Sequence, residues 1–360
     1  MKIGIILHPY GESKPGGLAR TIFEWTKGLL EIDQKNQYII FLKNQPVSRP
    51  DLPGANWRIE VLGDGWFWKD RLKHHLRADV YIFQTPALPI FYRPKNAVII
   101  AQDYPYQYLP AKNFDERIKN RLIYLYHRHS LRRANLIVAV SESSKRDTIR
   151  FFGIPEHKIA VVYMGYKNIC AGTAIEVPLP DKFFLFVGVI KERKNFLNVV
   201  KAFEQFKRDN DSSAHKLVVA GKTGNDYFRA IEKDIDRAGL HDSIIFLEYL
   251  NDGQLSYVYQ RAEALIFPSL VESFGFPCLE AMSCGVPVIT TKYQGPAEIV
   301  DGAGILVDPN NFVAIAQGME KIVQDQNLRR RLVEAGLARA KEFSWPKSAA
   351  NLLQLLETRF

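Results

Sequence analysis

The sequence predicts an α/β fold of two domains, each a doubly wound, mostly parallel sheet with crossover helices. Two observations carry this. Short apolar runs alternate with helical patterns along the first half, and the alternation restarts after an aperiodic break containing Pro178 and Pro180. At 360 residues the chain is long enough for a sizeable core in each domain. Candidate strands of the first half are 2–7, 37–42, 57–62, 80–85, 97–102, 136–141 and 160–164. Those of the second are 183–189, 216–220, 244–247, 264–267, 286–290 and 304–307. Helical spacing marks 18–30, 112–133, 145–152, the run from Phe196 to Phe206, 311–324 and 328–343. Trp345-Pro346 then breaks the chain before a last amphipathic helix, 348–356. The expected domains are 1–165 and 182–344, with 166–181 as linker and 345–360 as a closing helix.

Composition narrows the class. A chain that is 47% hydrophobic and 24% charged is an ordinary globular protein. No apolar run approaches the roughly 20 residues of a membrane span, and the run from Ile3 to Leu7 is too short for a signal peptide and reads as a first strand. Cys170, Cys278 and Cys284 are odd in number and show no CxxC spacing. They are expected to be reduced thiols of a cytosolic protein, without a disulfide framework or a zinc site. The net charge of +9 is uneven: residues 1–170 carry 26 Lys+Arg against 15 Asp+Glu, and the remainder is slightly acidic. A basic first half fits an anionic partner (a lipid surface, a phosphorylated acceptor or nucleic acid) or a plain solvated surface. No nucleic-acid motif is present, and none is expected as a partner. The strongest basic element is 112–133, a membrane-surface helix or a sheet crossover with a charged outer face; the crossover is preferred because parallel sheets require one.

The densest motif lies in the second half. The apolar run 264–267 leads through Pro268-Ser269-Leu270-Val271-Glu272-Ser273-Phe274-Gly275-Phe276 into a short helix containing Glu280, then a buried strand from Val286. Pro277 suits a first helical position and Gly285 the left-handed residue after the helix. Glu272 in the loop and Glu280 in the first helical turn stand eight residues apart. Ligands of open α/β sheets bind at the carboxyl ends of strands facing helix N-termini, so this unit reads as a site wall. A second junction, Gly188-Val189-Ile190-Lys191-Glu192-Arg193-Lys194-Asn195, opens the domain, with Asn195 read as an N-cap. There the helix dipole disfavours Arg193 and Lys194 by some tenths of a kcal/mol. A bound anion reverses that sign, which makes the turn a phosphate site rather than a solvated basic turn. Carboxylates beside an anion make sense as acceptors for hydroxyls on the same ligand, and a nucleotide-sugar supplies them on ribose and hexose. Taken alone, Glu280 is equally a carboxylate favoured by its own helix.

The first half gives weaker signals. Gly16-Gly17 before a helix permits close backbone approach to a ligand, or is a flexible turn. Asp103 ends a strand before Tyr104-Pro105-Tyr106, as a chemical group or as a turn former. Ser141 reads as the cap of the helix after it. There is no HExxH, and Asp234-Ile235-Asp236 falls inside an amphipathic helix pattern, so no metal is expected.

With these residues in view, the stretch from Glu272 to Glu280 resembles the E-x7-E signature of retaining glycosyltransferases of family GT4, which have the GT-B fold of two Rossmann-like domains facing a cleft. The turn from Gly188 to Asn195, Gly285-Val286-Pro287-Val288 and Phe343-Ser344-Trp345 are similar to that family's segments in the expected order. The first half is similar more loosely, through Gly16-Gly17, Asp103 and Val140-Ser141-Glu142. The resemblance implies that Arg193 and Lys194 bind the donor diphosphate, Glu280 the ribose, and Glu272 the donor hexose. Ser273, Phe274 and Gly275 would line the donor, Gly16 and Gly17 would approach the diphosphate, and Glu272 and Asp103 are the catalytic candidates. It further implies a closing helix on the N-terminal domain, which would hold the acceptor.

Two departures stand out: Gln102 occupies a place that is frequently His, and Met164 one that is frequently Asn. The expected function is metal-independent, cofactor-free transfer of a hexose, mannose from GDP-mannose as the donor reading, to a glycan or lipid-linked acceptor. Alternatives are a nucleotide-sugar epimerase or phosphorylase of the same architecture, or a catalytically silent glycan- or lipid-binding member. The expected location is cytoplasmic, with peripheral contact at the inner face of an anionic membrane through the basic N-terminal domain.

Overall fold

The structure is a computed structural model that describes residues 1–10, 17–46, 48–210 and 214–360. Its chain divides into two compact units, Met1–Gly165 with Phe343–Phe360, and Tyr166–Glu342.

In the first unit the described residues form a parallel sheet of seven strands: β1 (Lys2–Ile6), β2 (Gln37–Leu42), β3 (Trp57–Val61), β4 (Val80–Phe83), β5 (Ala97–Ala101), β6 (Leu136–Ala139) and β7 (Ile159–Val161). Their spatial order is β3-β2-β1-β4-β5-β6-β7, so the winding reverses between β1 and β4. Strands β4, β5 and β6 are buried at every residue, as strands covered on both faces must be. Helices α1 (Gly17–Ile32), α2 (Phe114–Arg133) and α3 (Glu142–Phe152) are the crossovers. Asn113 caps α2 by accepting from Glu116 N. Ser141 caps α3 through Ser144 N, and Gly153 ends it at φ 63°.

The last helix of the chain, α11 (Trp345–Arg359), returns to this unit and packs on α1. Trp25 Nε1 donates to Ser348 Oγ at 2.7 Å, and that hydroxyl donates to the Tyr163 carbonyl at 2.6 Å. The approach is close: a Cβ on Gly165 would lie 2.1 Å from the Trp345 nitrogen.

The inner side of α2 is pinned by polar contacts. Tyr126 donates to the Leu88 carbonyl at 2.5 Å, Ser130 Oγ accepts from Leu88 N, and the Tyr106 hydroxyl hydrogen-bonds His127 Nδ1 at 2.8 Å. Burial, reinforced by Lys69, pulls His127 from its ordinary 6.5 to about 4. The folded ring therefore binds fewer protons than the unfolded one between those values. Stability is expected to fall as pH drops from about 6.5 toward about 4, with this group contributing at most ~3 kcal/mol. Paired urea melts should show a flatter pH slope for His127→Gln; an identical slope would exclude the group.

The second unit is wound in the same way. Its described strands are β8 (Phe183–Val187), β9 (Lys216–Ala220), β10 (Ile244–Phe246), β11 (Ala264–Phe267), β12 (Val288–Thr291) and β13 (Ile305–Val307). All are parallel, in the order β10-β9-β8-β11-β12-β13, with the reversal between β8 and β11. Helices α4 (Phe196–Asp209), α5 (Asp226–Arg237), α6 (Asp252–Arg261), α7 (Phe276–Ser283), α8 (Gln294–Val300), α9 (Phe312–Gln324) and α10 (Gln326–Ala340) cover the sheet. The apolar stripe of α4 (Phe196, Val199, Val200, Phe203, Phe206) packs with Phe184, Phe186 and Ile266 into one buried cluster. Asp234 and Asp236 lie within α5.

The cysteine expectation is corrected. Cys170 and Cys284 form a disulfide, with Cα atoms 5.4 Å apart. They are 114 positions apart, and what brings them together is packing of the turn Ile169–Ala171 against α6 and the end of α7, which no spacing motif encodes. Cys278 remains a thiol, and burial pushes it up to about 12. Thiol titration of the denatured chain should therefore find one thiol without reductant and three with it; three in both would contradict the pairing. A disulfide typically contributes ~2–4 kcal/mol.

Candidate active site

In an open parallel sheet the loops leaving the two strands at the winding reversal diverge and leave a crevice. In the second unit those strands are β8 and β11, and their loops carry the two motifs of the sequence. After β8 the chain passes through Gly188 at φ 138°, then a 3₁₀ turn, Glu192–Lys194. A Cβ on Gly221, which follows β9, would lie 2.0 Å from the Gly188 carbonyl oxygen, so both strand exits press together there. After β11 the loop runs to Gly275 at φ 106°, the residue preceding α7.

Asn195 joins these loops, and here the sequence reading is corrected. It is not a side-chain N-cap but a left-handed residue (φ 61°) whose buried amide donates to the Pro268 carbonyl at 3.0 Å and the Pro309 carbonyl at 2.6 Å. The amide thereby clamps the β8 turn to the loops after β11 and β13. Two backbone bonds add to this, from Leu270 N and Val271 N to the Arg193 carbonyl at 2.8 and 3.3 Å.

On this scaffold Arg193, Lys194 and Glu272 converge. Glu272 Oε2 accepts from Lys194 Nζ and, at 3.4 Å, from Arg193 Nη1. The Lys194 ammonium also lies 4.5 Å above the centre of the Phe267 ring. Burial alone raises the Glu272 carboxyl, but the charges of Lys194 and then Arg193, with their hydrogen bonds, outweigh it and hold it below the ordinary carboxylate value. Glu272 is therefore an ionised acceptor, not a proton donor, near neutral pH.

Sequence reasoning missed the residues that hold Glu272 in place. Glu272 N donates to Gln294 Oε1 at 2.8 Å, and Gly295 N donates to the Glu272 carbonyl at 3.1 Å. A Cβ on Gly295 would lie 2.1 Å from the Ser273 carbonyl oxygen, so the start of α8 sits directly on the loop. The signal available for Gly295 was the Gly295-Pro296 pair, which marks a break in the strand pattern.

Glu280 sits one turn later than expected. Because α7 begins at Phe276, Glu280 lies in its second turn, and its Oε2 accepts from the buried Tyr259 hydroxyl at 3.2 Å. Burial, and then the Glu280 charge, raises Tyr259 far above its usual range, so the phenol stays a donor that orients the carboxylate. Pro277 stands second in the helix, one place later than expected, and Gly285 is left-handed at φ 70°.

Residues 174–339 match the family described as Glycosyl transferases group 1, and residues 15–167 the one described as Glycosyltransferase Family 4. The O-antigen chain mannosyltransferase B of Escherichia coli is 30% identical over 279 residues, 74% of this chain and 71% of that one. The chain is a family 4 glycosyltransferase. The serotype-specific mannosyltransferase WbdA of Escherichia coli is 28% identical over 255 residues, covering 68% of this chain but 30% of that longer one. Among solved structures, HepE of Anabaena in complex with UDP shares the fold with a TM-score of 0.77, at 18% identity over 99% of this chain and 100% of that one.

The remaining predicted residues of the glycosyltransferase are placed as follows. Ser273 and Phe274 are buried in the loop after Glu272, with the Phe274 and Phe276 rings 5.2 Å apart. Asp103 follows β5 in the first unit and is half-buried. Gly17 is the first residue of α1, and Gly16 lies outside the described residues. Gln102, in the place often held by His, has a buried Nε2 without a hydrogen-bond partner among the described residues.

Proposed function

We propose that this glycosyltransferase moves a mannosyl group from GDP-mannose to a glycan or lipid-linked acceptor, with retention of the anomeric configuration and without a metal. The observation that carries the reading is the convergence of two cations on one ionised carboxylate at the winding reversal of the second unit. Arg193 and Lys194 are the groups suited to a diphosphate, which would compete with Glu272 for them. On donor binding the diphosphate takes over the cations, and Glu272 turns to hexose hydroxyls. Glu280, oriented by Tyr259, accepts from the ribose. The loop Ser273-Phe274-Gly275 lines the donor.

In the transfer step the bond from the anomeric carbon to the diphosphate oxygen breaks. The acceptor oxygen bonds that carbon on the same face, and the acceptor proton leaves with the diphosphate. Negative charge grows on the leaving group, and Arg193 and Lys194 stabilise it. The mannosyltransferase relatives support mannose as the sugar.

The test is a thermal-shift panel of nucleoside diphosphates and their sugars, with and without EDTA. GDP and GDP-mannose should give the largest shifts, since a ligand at 100 times its dissociation constant adds about 2.7 kcal/mol, and EDTA should change neither shift nor turnover. A larger response to another nucleotide would overturn the donor assignment, and loss of transfer in EDTA the metal-free one. Anomer-resolved analysis of the product tests retention.

A further inference from the structure

The outer side of α2 carries an apolar stripe that none of the described residues covers. Phe114, Ile118, Leu122 and Leu125 recur at helical spacing on that side, with Phe114 73% and Leu122 61% exposed. The polar anchors through Tyr126, His127 and Ser130 fix the opposite side of the helix to the unit, so the stripe is held outward. A second exposed apolar group adjoins the end of α2. Arg133 donates to the Pro89 and Tyr92 carbonyls, placing Phe91 (75% exposed) beside that end. The Phe91 ring lies 5.2 Å from Phe67, next to Trp66, which is 98% exposed. Asp70 fixes this segment by accepting from Ile90, Phe91 and Tyr92 N–H groups at 3.1, 2.6 and 2.7 Å. An apolar surface of this extent on a folded unit marks a binding face.

Charge identifies the occupant. Six Lys and Arg stand against two acidic residues from Phe114 to Arg133. Arg117, Arg121 and Arg132 are exposed along one edge of the stripe with Arg128 half-buried beside them, and Lys119 is exposed on the other side. Of the two acids, Glu116 accepts from Lys112 N at the helix start, and Asp115 is exposed at the stripe's edge. Apolar residues bordered by cations, with an exposed tryptophan nearby, match the interface of an anionic bilayer, where acyl chains take the apolar side chains and headgroups the guanidinium groups. A second copy of the chain fits poorly, because a symmetric contact would set the same arginines against one another. No helix among the described residues is long and apolar enough to cross a membrane.

We infer that the outer face of α2, with Trp66, Phe67 and Phe91, docks the first unit on an anionic lipid surface. The test is co-sedimentation of the full chain with vesicles of phosphatidylcholine alone or mixed equally with phosphatidylglycerol, at low and high salt. Binding is expected on the anionic vesicles, weaker at high salt. Phe114→Ser with Leu122→Ser should abolish it while circular dichroism and transfer to a soluble acceptor stay unchanged. Neutralising Arg117, Arg121 and Arg128 to Gln should lower binding about fivefold per charge. Equal binding to neutral vesicles, no binding to either, or unchanged binding of the serine variant would overturn the inference. A dimer in analytical ultracentrifugation that the same two serines dissociate would also overturn it, by assigning the face to a second copy.

Discussion

Glu272→Gln is expected to lower kcat on the order of 100-fold or more while the bare nucleoside diphosphate binds as tightly as before, or more tightly. The direction follows from the ion pairs. Glu272 holds Lys194 and Arg193 in the structure, so on the proposed function the carboxylate competes with an incoming diphosphate for the same two cations. Glutamine keeps the shape and ends that competition, but in the proposed reaction it loses the charge facing the reacting sugar. Removing one partner of a buried pair also destabilises the fold, so Glu272→Asp is the control: it keeps the charge, shortens the reach and should give an intermediate kcat. Steady-state kinetics beside calorimetric binding of the diphosphate separate the two effects. A kcat within a few-fold of the parent enzyme would remove Glu272 from the chemistry.

Arg193→Ala with Lys194→Ala should weaken nucleoside diphosphate binding by roughly 100-fold or more, because each charge-assisted hydrogen bond is worth about 1.5–3 kcal/mol. The same variant carries a pH signature. With both cations present the Glu272 carboxyl sits below its ordinary 4.5, so its contribution to stability is complete above 4.5 and is lost as pH falls through the lower folded value. Without them burial governs and the folded value moves above 4.5. Stability from this group then falls as pH rises through that window, opposite to the parent protein. Calorimetric binding and pH-dependent melts read both effects. An unaltered dissociation constant would sink the phosphate assignment.

The strands were legible because strands of a doubly covered parallel sheet are continuous apolar runs, and 37–42, 216–220 and 264–267 coincide with β2, β9 and β11. Where expectation overran, it did so mostly at carboxyl ends, as in 183–189 against Phe183–Val187 and 136–141 against Leu136–Ala139, while 286–290 against Val288–Thr291 began two residues early. At the carboxyl ends the chain leaves the ladder while its composition stays apolar, and at Gly188 that departure opens the crevice. Arg193, Lys194 and Glu272 could be named from charge at a helix start and from spacing. Their ion pairing could not, since it depends on two loops separated by 78 and 79 positions. Asn195 was misread because an amide beside a helix start caps it in most contexts. Here the left-handed backbone turns the side chain toward two proline carbonyls instead. Gln294 gave no signal, because a polar side chain in a seven-residue helix looks like any surface glutamine. The disulfide was hidden by the distance along the chain. On α2, the basic residues were visible, but the exposure of Phe114 and Leu122 was not, because both sides of that helix carry apolar residues and only the fold decides which is covered.

The most direct measurement is a crystal structure of the chain with the nucleoside diphosphate that stabilises it most. The account predicts diphosphate oxygens on Arg193 and Lys194, Glu272 released from both, and ribose hydroxyls on Glu280. A diphosphate bound elsewhere, with Arg193 and Lys194 still paired to Glu272, would contradict it.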